Sequence, residues 1–72
     1  MSAKNAALEA LTQALRLEEE GRAFYLQAAK DTIDEKGQAM FESLADDETK
    51  HAEMVQRQLR AIEGGGNYLL LP

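Results

Sequence analysis

Three residues stand out by chemical type and helical phase: Glu18, Glu48 and His51. Carboxylate oxygens with an imidazole nitrogen form a donor set suited to Fe, Mn or Zn, whereas copper(I) would ask for Cys or Met. Glu48 and His51 are spaced i, i+3, which on an α-helix places them on one face about a turn apart. Sorting the chain by sevens puts Glu18 in the row Leu11-Glu18-Tyr25, Glu48 in Phe41-Glu48-Val55-Ile62 and His51 in Leu44-His51-Gln58. All three therefore point with the apolar residues, while Glu19, Glu20, Asp46, Lys50 and Glu53 fall in solvated rows. A carboxylate taken out of water loses several kcal/mol of hydration even after relaxation, and Glu is almost never fully buried unless paired. No inward lysine accompanies these two. Arg22 shares the face near Glu18, yet one guanidinium cannot balance both acids, so a cation held between them resolves the conflict.

The elements that must position these groups are two long helices. From Ala3 to Glu63 there is no proline, the only glycines are Gly21 and Gly37, and Ala, Leu, Glu, Gln, Lys and Arg dominate, all strong helix formers. One break falls at Asp31-Thr32-Ile33-Asp34, where Asp34 can cap a second helix whose positive dipole end suits Glu35. The pattern predicts helices over about 3–30 and 35–63, forming one hairpin domain of residues 1–63. Gly64-Gly65-Gly66 stops the second helix, and residues 64–72 make a glycine-rich stop and a short apolar tail. A turn of a few residues makes the helices antiparallel neighbours. With its midpoint near residue 33, Glu18 faces Glu48 across the hairpin. The rows Leu8-Leu15-Arg22-Ala29, Leu11-Glu18-Tyr25 and Leu17-Phe24, flanked by Ala7-Ala14-Gly21-Ala28, read together as the buried face of the first helix. The small-residue row invites another helix to approach closely.

Composition narrows the classes. A chain of 72 residues without cysteine has neither disulfides nor thiolate metal sites to stabilise it. At this size it buries only about 60% of the surface its unfolded form exposes. Oligomerisation or bound metal is the remaining source of stability. Thirteen acidic against eight basic residues give a formal charge of −5, the wrong sign for nucleic acid. The longest apolar run, Leu69–Leu71, is far short of the roughly 20 residues of a membrane span. No signal-peptide pattern opens the chain, so a soluble cytoplasmic protein is expected. One hairpin brings too few ligands for a closed site with two metals. Two hairpins about a two-fold axis supply four Glu and two His, the inventory of di-iron and di-manganese carboxylate bundles.

The stretch Leu17-Glu18-Glu19-Glu20-Gly21-Arg22-Ala23-Phe24-Tyr25, followed by Leu44 to Glu53 with its Glu48-x-x-His51, resembles the first hairpin of the rubrerythrin-like branch of the ferritin-like superfamily. It is also similar to the encapsulated ferritins, whose short chains complete a four-helix bundle only on dimerisation. The likeness covers about residues 5–63. It implies an all-α fold, an antiparallel helical hairpin that dimerises into a ferritin-like four-helix bundle with two Fe ions per dimer, Mn or Zn being alternatives. It further implies a ferroxidase that oxidises Fe(II) with O2 or peroxide in iron homeostasis or oxidative-stress defence. Glu18, Glu48 and His51 would be the ligands, and Tyr25 a hydrogen-bond donor to a ligand carboxylate. A homodimer or higher homo-oligomer is the expected partner state. Residence within a protein shell is a further expectation, although the Leu69–Pro72 tail does not resemble the peptides that direct encapsulated ferritins. The paired Cys-x-x-Cys motifs of a rubredoxin module are missing here, so a self-contained electron-transfer peroxidase is not expected. Two rival readings remain: a non-catalytic helical oligomerisation module whose inner acids fix register, and a structural Zn or Mn site at a dimer seam.

Overall fold

The computed structural model describes residues 2–64, which form two helices, α1 (Ala3–Asp31) and α2 (Glu35–Glu63), packed side by side as an all-α antiparallel hairpin. Of the glycine-rich stop and apolar tail expected at residues 64–72, residues 65–72 lie outside the described residues.

Each helix starts on a side-chain cap. Ser2 Oγ accepts from the Asn5 N–H at 3.1 Å, and Asp34 Oδ2 accepts from the Gly37 N–H at 2.9 Å. Both contacts satisfy a backbone donor that has no partner within the helix, which is worth roughly 1 kcal/mol each. Between the helices the chain turns on Thr32, whose extended backbone (φ −94°, ψ 123°) ends α1. Its hydroxyl donates back to the Ala28 carbonyl at 2.7 Å, and Gln38 Nε2 donates to the Thr32 carbonyl at 2.7 Å. The turn is also tight in volume: a Cβ at Gly37 would sit 2.7 Å from Thr32 Cγ2. Gly37 is therefore a requirement of the close approach between the start of α2 and the end of α1.

Only Ala29, Ala45 and Ile62 are buried outright among the described residues. The rest of the seam, including Leu11, Leu15, Phe41, Leu44 and Val55, is half-buried. Two helices alone cannot enclose a core, because each presents an apolar stripe wider than the contact with one neighbour covers. The consequence is visible in Leu17 and Phe24, which stand 63% and 67% exposed. Their row belongs to the apolar face of α1 as expected, yet within one hairpin it is not buried: it points past the α1–α2 seam. Arg22 likewise stands exposed on the outside of α1.

The two flanks of the hairpin differ. Arg22 and Leu26 of α1 line one of them together with Glu42, Asp46 and Thr49 of α2. The rows about half a turn away, Leu17 and Phe24 on α1 with Met40 and Met54 on α2, lie along the other. Met40 and Met54 are 54% and 40% exposed, so this second flank carries four exposed large apolar side chains. Among the described residues no helix is long and apolar enough to cross a membrane.

Candidate metal centre

Glu18 lies near the middle of α1, Glu48 and His51 near the middle of α2, and the antiparallel register sets them at one level. His51 Nδ1 is 3.2 Å from Glu18 Oε2 and 4.0 Å from Glu48 Oε1. One ligand atom from each of the three falls within 4.8 Å of the others. The carboxylates are largely sheltered, with side-chain exposures of 26% for Glu18 and 22% for Glu48. His51 is 52% exposed and stands at the rim of the apolar flank.

The electrostatics carry the mark of a cation site. A side-chain hydrogen bond with Glu18 pushes the Glu48 carboxyl above the ordinary carboxylate range, partial desolvation and the Glu18 charge adding to the rise while His51 opposes it. Two carboxylates this close disfavour one another's charge, and a cation between them would relieve that repulsion. Among the described residues neither Glu18 nor Glu48 has a Lys or Arg ion-pair partner; the Arg and Lys bridges present, Arg16–Glu20 and Lys50–Asp46, are exposed i, i+4 pairs on the outer faces. Exposed pairs of that kind contribute about 0.3–0.5 kcal/mol each and have no part in the site.

The donor set fits a divalent transition ion. Metal–ligand bonds to imidazole nitrogen and carboxylate oxygen are about 2.0–2.2 Å. Ligand atoms on opposite sides of one ion are then roughly 4 Å apart, and adjacent ones closer. The trio is within side-chain adjustment of that spacing. Three protein ligands would leave room for further donors on any ion held there.

Tyr25, the fourth residue singled out from sequence, belongs to an aromatic row beside the trio. Its ring stacks on Phe41 at 6.4 Å between centroids, and Phe24 meets it edge-on at 5.7 Å. Its hydroxyl makes no hydrogen bond to Glu18 or Glu48, so its place in this structure is one of packing beside the ligands. One residue that the sequence pattern did not assign to the site is Gly21. A Cβ there would meet Glu48 Oε2 at 3.1 Å, and its three nearest atoms would all belong to Glu48. The only signal in the sequence was a glycine at an otherwise small-residue row in a 29-residue helix.

A helical hairpin with two inward carboxylates and a histidine at one level, open on an apolar side, presents a candidate carboxylate–histidine metal site of the kind helix bundles carry. The Rubrerythrin family model matches residues 9–70, which is most of the chain and includes the whole trio. The chain belongs to the rubrerythrin family, within the ferritin-like superfamily of di-iron proteins. No curated protein and no solved structure matches it at a significant level.

Proposed function

We propose that two copies of the hairpin pair across the Leu17–Phe24–Met40–Met54 flank to complete a four-helix bundle. Glu18, Glu48 and His51 of each copy then form one centre for two iron ions, at which Fe(II) is oxidised to Fe(III) by O2 or peroxide. The observation that carries this reading is the coincidence of two features: the trio converges on the same flank that leaves four large apolar side chains uncovered. An exposed apolar patch on so small a chain calls for a cover. A second copy supplies both that cover and the ligands that one hairpin lacks.

Fe(II) is the substrate, each ion giving up one electron, and two together match the two-electron reduction of O2 to peroxide or of peroxide to water. The chain's own contribution is electrostatic. Four carboxylates balance two divalent ions and favour the more highly charged ferric product, which makes the oxidation easier. The carboxylates bind a cation in their ionised form, so acid competes with uptake, and the raised Glu48 carboxyl extends that competition upward in pH. Imidazole from His51 keeps one ligand per metal neutral, which limits the negative charge each ion must offset. In this setting the activity serves iron handling or defence against oxidants.

The test is aerobic addition of Fe(II) to the purified oligomer, followed by ferric absorbance. The wild-type protein is expected to yield Fe(III) faster than buffer, and Glu18→Ala or His51→Ala to fall to the buffer rate with loss of stoichiometric metal uptake. A wild type that binds iron yet oxidises it no faster than buffer leaves a metal site of structural role and overturns the ferroxidase reading.

A further inference from the structure

Glycine in the middle of a long helix is unfavourable, because the unfolded chain has more freedom to lose and alanine would hold the helix better. α1 nevertheless carries Gly21 three residues after Glu18, at the level of the trio. The φ of Gly21 is that of ordinary helix, so no backbone requirement explains it. What the missing Cβ leaves room for is specific. The atoms it would approach are Glu48 Oε2 at 3.1 Å, Glu48 Cδ at 3.4 Å and Glu48 Cγ at 3.7 Å. The carboxylate of α2 lies in the space that a side chain on α1 would fill.

We propose that Gly21 is the positioning residue for Glu48: by leaving out a Cβ it lets that carboxylate reach across the seam to the level of Glu18 and His51. The inference rests on the metal-binding reading above and deepens it. A methyl group at position 21 displaces the Glu48 carboxylate by a few tenths of an ångström, an amount a flexible side chain can absorb without unfolding anything. A shift of that size takes up a large part of the roughly 0.5 Å within which ligand atoms must be held, so it weakens the set without dismantling it. Gly21→Ala therefore separates two effects that normally move together: the metal-free helix gains while the metal site loses.

The experiment compares wild type, Gly21→Ala and the same-row control Ala28→Gly by calorimetric titration with Mn(II), by thermal melting of the metal-free proteins, and by sedimentation at the titrated concentration. Gly21→Ala is expected to raise the metal-free Tm by about 4 °C and to weaken Mn(II) binding about tenfold, at unchanged oligomeric state. Ala28→Gly is expected to lower the Tm while leaving Mn(II) affinity within twofold of wild type. Wild-type binding with Gly21→Ala affinity also within twofold overturns the role of Gly21 and leaves the metal reading intact. A Gly21→Ala protein that loses its partner subunit overturns it as well, in favour of a backbone contact between copies. A wild type that takes up neither Mn(II) nor Fe(II) removes the metal reading itself, and the inference with it.

Discussion

Two glycines, Gly37 at the turn and Gly21 at the trio, leave little room for a Cβ, and they are tight against different things. At Gly37 the obstacle is the Thr32 methyl at 2.7 Å. Thr32 is pinned by its hydroxyl bond to Ala28 and by the Gln38 contact to its carbonyl, so the wall cannot move. At Gly21 the obstacle is the end of a flexible Glu48 side chain at 3.1 Å. The turn region has its polar groups satisfied by neighbours a few residues away. The centre does not: Glu18 and Glu48 face each other with no Lys or Arg partner among the described residues. The first region holds the fold, whereas the second is arranged at the expense of fold stability, as sites that must bind something usually are.

Three changes would break or sharpen that contrast. The largest effect is expected from Phe24→Asp, which places a charge in the middle of the exposed apolar flank. Pairing of the hairpins should weaken by at least about 100-fold, since desolvating an unpaired charge costs several kcal/mol. Metal uptake should fall with it, and sedimentation alongside metal analysis reads both. Next comes Gly37→Ala. Overpacking against a fixed wall costs about 1–3 kcal/mol, and the better helix propensity of alanine returns up to about 1 kcal/mol. A net loss of roughly 1–2 kcal/mol lowers the Tm by at least about 4 °C, opposite in sign to the change expected at Gly21. Equal shifts at the two glycines would erase the distinction between them.

The smallest effect is in pH dependence. Glu48 has a folded-state pKa above its unfolded value. Between those two values the folded metal-free chain holds more protons than the unfolded one, so stability falls as pH rises through the window. The protein is relieved of this penalty below the ordinary glutamate range and carries it in full above the raised value. Metal-free wild type should therefore melt at a lower temperature at neutral pH than just below the glutamate range, relative to Glu48→Gln, which lacks the slope. Identical pH profiles for the two proteins would show that the raised Glu48 carboxyl contributes nothing to stability.

Much of this was legible from residue phase alone. The break at Asp31–Asp34, the Asp34 cap and the opposition of Glu18 to Glu48 follow from local rules, namely helix propensity, capping and the antiparallel register that a short turn imposes. Phase also separated Glu18 from Glu19 and Glu20. It could not say which apolar rows close within one chain. Leu17 and Phe24 share the amphipathic face with Leu11 and Leu15, and periodicity marks a residue as apolar-facing without naming its neighbour. Arg22 shows the same limit, for its row lies beside Glu18 while its place is on the outer flank with Glu42 and Asp46. The Gly21–Glu48 contact was beyond reach because it depends on how far a side chain of α2 extends across the seam, a tertiary quantity that no spacing encodes. The row placed Tyr25 on the inner face, and the resemblance gave it a hydrogen bond to a ligand; in the structure its ring stacks on Phe41 and its hydroxyl makes no such bond.

In the proposed dimer the sheltered acids of one hairpin are completed by those of a second, with metal between them. Native mass measurement of the oligomer during anaerobic Fe(II) titration tests it most directly. The expected result is a dimer-based species that saturates at two iron ions per two chains. A chain that stays single, or a dimer that takes up no iron, contradicts it.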